Sequence, residues 1–181
     1  MDATEKKFAD FLDLLIKRTI YPIHNSDIKE SCTATLLLIF AAIDAISKIT
    51  CNDTVYAQGS KARFKHYLSN DMGAGYGVFQ TQIYALRCDI VHTGINTKVT
   101  LSKNTNDTMP LEQKADGFWI NTLLFLADFE KSIIEVKKKV YSRGDYYNNV
   151  QNRLSELVMI ELDETHEQPE PSPGPQDNIF P

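Results

Sequence analysis

Tyr84-Ala85-Leu86-Arg87-Cys88-Asp89-Ile90-Val91-His92-Thr93-Gly94 reads as the end of a helix, with Gly94 as its stop. Two polar residues, Arg87 and His92, stand five positions apart among Leu86, Ile90 and Val91. At 3.6 residues per turn, five positions separate them by about 140° around a straight helix. They converge only where His92 sits at a helix end and the arginine arm curls round, or where two copies of the helix meet across a two-fold axis. Asp89 lies three positions before His92 and shares its face, so it can orient the imidazole.

Upstream, Val78 to Val91 forms the rest of this helix. Ser69 to Gly77 reads as a turn, and Ser60 to Leu68 as a short helix with Phe64, Tyr67 and Leu68 on one face. Within it, Lys61 and Lys65 share a face and, with Arg63, form a cationic cluster suited to a polyanion. Leu36 to Ile46 is apolar nearly all round, which places a helix ending near Thr50 at the centre of a bundle. Asp27 and Glu30 resemble a capping box at its start. Asp44 is an acid inside this apolar helix. A buried carboxylate needs a partner, and Arg87 is the natural one. At the N-terminus, Phe8, Phe11, Leu12, Leu15 and Ile16 predict an amphipathic helix over 4–19, which Pro22 stops.

Downstream, Ile95, Thr97, Val99 and Leu101 alternate with polar residues, which fits either a small β-ribbon over 95–108 or an irregular loop. A long helix is expected from Asp116 to Arg143. Its stripe Trp119, Thr122, Leu126, Phe129, Ile133, Val136 and Val140 is spaced 3-4-3-4-3-4, and a second stripe of Ile120, Leu123, Leu124, Ala127 and Ile134 lies beside it. Gly144 ends it, and a last short helix follows within 145–162. The whole is an all-α antiparallel bundle of about five to six helices over 1–162.

The remainder, 163–181, carries Pro169, Pro171, Pro173 and Pro175, five acids and no Lys or Arg, and is expected to be a disordered acidic tail. It accounts for the net charge of −5 and leaves a neutral body of 19 acids against 19 bases. A neutral body does not advertise a nucleic-acid binder beyond a local patch. Three scattered cysteines without a CxxC argue against a disulfide framework or a zinc site, so no metal and no cofactor are expected. The apolar run Leu36 to Ile43 is interrupted by Asp44 and Lys48, and is shorter than the ~20 residues a bilayer span needs. With no secretory signal in Met1 to Ile20, a cytoplasmic protein with no membrane contact is expected.

The spacing Arg87-x4-His92 resembles the motif of HEPN domains. The surroundings are similar as well: a long apolar helix with an embedded acid, the segment Arg63-Phe64-Lys65, the motif at a helix end before Thr93-Gly94, and a long closing helix. The resemblance covers about residues 5 to 143. It implies a helical bundle that homodimerises through the motif helices. In active members it implies metal-independent RNA cleavage, with Arg87 and His92 catalytic, Asp89 and Asp44 supporting, and Lys61, Arg63 and Lys65 on the approach of the RNA. A toxin or defence effector, held by an antitoxin or regulatory protein, would fit. Cys88 departs from the polar residue that often follows the motif arginine. The alternative is a non-catalytic interaction or regulatory module, in which Arg87 closes an internal salt bridge and His92 is a polar helix end.

Overall fold

The computed structural model describes residues 1–26, 31–93, 99–115 and 117–156. Three helices of 20 residues each dominate it: α3 (Ser31–Thr50), α6 (Ala74–Thr93) and α7 (Thr122–Tyr141). Shorter helices α1 (Ala3–Asp13), α2 (Tyr21–His24), α4 (Asp53–Ala57), α5 (Ser60–Asn70) and α8 (Asp145–Arg153) surround them. The fold is mostly helical with one small sheet, as the periodicities imply.

α3 lies at the centre and touches α2, α5, α6, α7, α8 and β1. By length and composition α3 could pass for a membrane span, which the run 36–43 alone understated. Here half of it is buried inside the fold, and Leu36, Ile39, Phe40, Ile43 and Ile46 are essentially inaccessible. Aromatic rings tie it to its neighbours. Phe40 meets Phe64 of α5 edge-on at 5.7 Å and Phe125 of α7 at 6.1 Å; Phe125 meets Tyr76 of α6 at 5.4 Å. Edge-to-face contacts at these separations favour one packing over others.

The first helix departs from expectation. Asp2 and Glu5 form a capping box at the start of α1. Pro22 does not stop the helix that follows. Over Leu14–Ile20 the backbone widens to π-helical turns, and the Tyr21 N–H bonds the Ile16 carbonyl. The Thr19 hydroxyl donates to the Leu14 carbonyl at 3.1 Å. This change of register puts Pro22 in the first turn of α2, where a missing N–H costs nothing. The chain therefore stays helical to His24. Asp27 and Glu30 lie outside the described residues, as do Gly94 and the tail 163–181. Lys103 bridges the ends of α2 and α3, donating to the His24 carbonyl and, at 2.9 Å, to the Ser31 hydroxyl.

Between α6 and α7 stands a three-stranded sheet in the order β1 (Val99–Ser102), β3 (Gly117–Asn121), β2 (Leu111–Lys114). β1 pairs with β3 in parallel, Val99 opposite Phe118, and β2 pairs with β3 antiparallel, Leu111 opposite Ile120. The sheet thus extends well past 95–108 and takes Trp119 and Ile120 from the expected helix. Phe118, Trp119 and Ile120 suit a pleated surface. Asn121 then ends the strand and caps α7, its side chain accepting from the N–H groups of Leu123 and Leu124. From Thr122 onward the 3-4 stripe is as expected: Thr122, Leu126, Phe129, Ile133, Val136 and Val140 are all buried.

Two further features are local. Asn52 caps the short helix α4, its side chain accepting from the Val55 N–H. α6 begins at Ala74, so Gly75, Tyr76 and Gly77 are helical rather than part of the turn. Gly73, at φ +105°, makes that turn, and Gly77 lets α6 approach α5, since a Cβ there would meet the Ser69 Oγ at 3.3 Å.

The buried phenols carry a pH dependence. Burial is the main cause holding Tyr67, Tyr76 and Tyr146 above the ordinary tyrosine value, and Asp128 and Asp71 reinforce it at Tyr76 and Tyr146. A raised folded-state pKa contributes stability that is complete below the unfolded value of about 10 and is lost as pH rises beyond it. We expect these phenols to ionise, read at 295 nm, only together with alkaline unfolding. A gradual titration with ellipticity unchanged would contradict this.

Candidate active site

The site is built on one helix seen from three sides. Tyr76, Ile83, Leu86 and Ile90 face the core. Arg87 stands at the edge of that face and reaches α3, where its Nε (3.0 Å) and Nη2 (2.8 Å) both donate to the Asp44 Oδ2. The two side chains are 23% and 24% exposed. Burial alone would lower the Arg87 pKa, but the bond and charge of Asp44 outweigh it and hold it above its ordinary value. The partnership expected for Asp44 is therefore present, at a half-open edge of the bundle.

His92 lies on another side, exposed to solvent, and Asp89 is exposed one turn before it. The helix runs on through Thr93, so the two motif residues keep their angular separation and do not meet within one chain.

Tyr84 fills the gap between α6 and α5. Its ring packs edge-on against the buried Phe64 at 5.7 Å. The Arg87 guanidinium lies 5.8 Å from the ring centre and the Lys61 ammonium 5.9 Å. Burial, followed by the Cys88 thiol beside it, raises the Tyr84 pKa. One turn along α5, the Lys65 Nζ donates to the Thr81 hydroxyl at 2.9 Å. Lys61 and Lys65 thus flank α6 together, as their four-residue spacing implies. Arg63 does not join them. It is turned to Tyr56, donating to its carbonyl at 3.2 Å with the guanidinium 5.1 Å from its ring.

The third side was missed in the sequence. Ala74, Val78, Thr81, Ala85, Cys88 and His92 are spaced 4-3-4-3-4 along α6, and all are exposed except the half-buried Cys88. That is a heptad seam of small and medium side chains on an outer surface. The signal was present in the residues, but alanine and threonine carry little weight in a count of apolar positions. Among the described residues, no three His, Cys, Asp or Glu side chains gather as a metal site would require.

No protein-family model, curated protein or solved structure matches this chain.

Proposed function

We propose that the protein is a HEPN-like, metal-independent endoribonuclease that acts as a homodimer through α6. One observation carries this reading. Arg87 and His92 are held on different sides of one helix, and His92 ends an exposed heptad seam. Two copies joined along the seam would set two His92 side chains together, with an Arg87–Asp44 edge flanking them on the α3 side of each α6. A single copy leaves the pair apart.

The chemistry suits these groups. One imidazole takes the proton of a ribose 2′-hydroxyl, whose oxygen attacks the adjacent phosphorus. The bond from phosphorus to the 5′ oxygen breaks, and a protonated imidazole gives that oxygen its proton. The products are a 2′,3′-cyclic phosphate and a 5′-hydroxyl. A group with a reference pKa of about 6.5 serves both steps near neutrality. Arg87 spends Nε and Nη2 on Asp44, which fixes its plane and leaves the N–H groups of Nη1 to stabilise the phosphorane charge. Lys61 and Lys65 line the approach. A toxin or defence effector working in the cytoplasm, with RNA as substrate and an antitoxin or regulatory protein as its restraint, is the setting we propose.

The Arg87–Asp44 pair also favours a second reading, a non-catalytic interaction module in which that pair is structural. The two are separated by Ala85→Arg, which sets a cation in the middle of the seam without touching the core. Sedimentation is expected to show a dimer converted to monomer, and cleavage of single-stranded RNA in EDTA is expected to be lost while the circular dichroism is kept. A variant that stays active as a monomer would overturn the dimeric site.

A further inference from the structure

A second feature lies away from α6, where α7 and the π-helical turns splay apart. Two adjoining clefts of about 230 and 270 Å³ meet at Tyr21 and Glu130, which line both. One end is aliphatic, walled by Leu12, Ile16, Ile133 and Ile134, and Ile134 remains 53% exposed. The other end holds His24. The residue is 9% exposed, and its Nδ1 is buried with no hydrogen-bond partner among the described residues. A buried imidazole nitrogen is rarely left so. Burial, with Lys103 nearby, lowers the His24 pKa, so the ring is neutral and one nitrogen can accept. At the junction, the Glu130 carboxylate lies against the Tyr21 hydroxyl and raises its pKa.

We propose that this groove binds the ammonium head of an unbranched aliphatic amine. Glu130 and His24 Nδ1 would accept its hydrogen bonds, and Leu12, Ile16, Ile133 and Ile134 would take its chain. The chemistry narrows the choice. An ammonium offers three donors and no acceptor, which fits a carboxylate and an orphan acceptor. A carboxylate or phosphate head would meet the charge of Glu130. The aliphatic end is lined by Lys17, paired with Asp13 at 2.9 Å, and by Lys137, so it carries one net positive charge that disfavours a cation there. A lysine side chain of a partner protein carries the same group on the same kind of stem.

The test uses the full chain and two probes, n-hexylammonium and the peptide acetyl-leucyl-lysyl-leucyl-amide, with hexanoate as control. Binding is followed by shifts of the His24 ring resonances. Saturable binding of either amine is expected in the millimolar range, which is the scale for a ligand of so few atoms. Glu130→Gln is expected to weaken it about tenfold, and hexanoate to bind at least about tenfold more weakly. Ile134→Lys, which charges the aliphatic end without altering Glu130, is expected to weaken it too. A tighter peptide makes a protein lysine the source, and a tighter hexylammonium makes it a free amine. Equal binding of hexanoate, binding unchanged in Glu130→Gln, or no saturation by either amine overturns the proposal.

Discussion

Replacing His92 by alanine is expected to lower RNA cleavage by about 10²–10⁴-fold, the usual contribution of a general acid or base. The melting temperature is expected to stay within about 2 °C, because a substitution on an exposed surface rarely costs more than about 0.5 kcal/mol. His92 is exposed, so nothing in the core depends on it. Arg87→Ala should behave differently. It removes both donors to Asp44 and leaves that carboxylate half-buried in the wall of α3. About 1–3 kcal/mol of stability should go with it, alongside the activity. The measurement is a pair of melting curves beside a pair of single-turnover assays in EDTA. Activity lost in both variants with stability lost only in Arg87→Ala supports a catalytic pair. If His92→Ala cleaves like the parent, the ribonuclease reading fails and the module reading stands.

A polar loss of stability away from the site is expected at Asp71. Its side chain is 2% exposed at the end of α5, and it accepts from Lys139 Nζ of α7 at 2.6 Å and from the Tyr146 hydroxyl of α8 at 2.9 Å. One carboxylate therefore fastens three helices. Asp71→Ala strands the Tyr146 hydroxyl and the 39%-exposed Lys139 ammonium and should cost about 1–3 kcal/mol. For a chain of this size that lowers the melting temperature by about 2–12 °C. Adding Lys139→Met should recover part of the loss, because the uncompensated charge goes with it. A melting temperature unchanged in Asp71→Ala would show that α8 is held without this carboxylate, by its apolar contacts and the bonds of Tyr147, Asn149 and Arg153.

Much of this fold was legible because the helices are long and their stripes regular. The 3-4 run from Thr122 to Val140 is buried throughout, and the all-apolar middle of α3 is central, since burial requires little beyond periodicity. The sheet was legible only in part. Val99 and Leu101 alternate as a strand should, but their partners are Phe118 and Ile120, which periodicity alone assigns to the next helix. Pairing between distant segments leaves no mark on either one. Pro22 misled for a related reason: a proline breaks a helix only if its N–H is needed, and the π-turns remove the need.

The site was legible to a similar depth. The pairing of Asp44 with Arg87 follows from two charges in apolar helices, and the separation of Arg87 from His92 follows from helix geometry. The place of Tyr84 between Lys61 and Arg87 does not, because it depends on how α5 lies against α6. Nor does the inward turn of Arg63, which shares a cluster in sequence with Lys61 and Lys65 but lies on another face of α5.

The π-helical turns have a consequence for phase. Such a segment behaves as one residue too many in an α-helix. Everything after Leu14–Ile20 is turned by about 100° relative to uninterrupted counting. His24 faces the groove beside Glu130 in that shifted phase. Deleting one residue between 14 and 20 would restore ordinary counting, swing His24 out of the groove and press Pro22 against the turn before it. The groove and the tolerated proline are therefore two results of one extra residue.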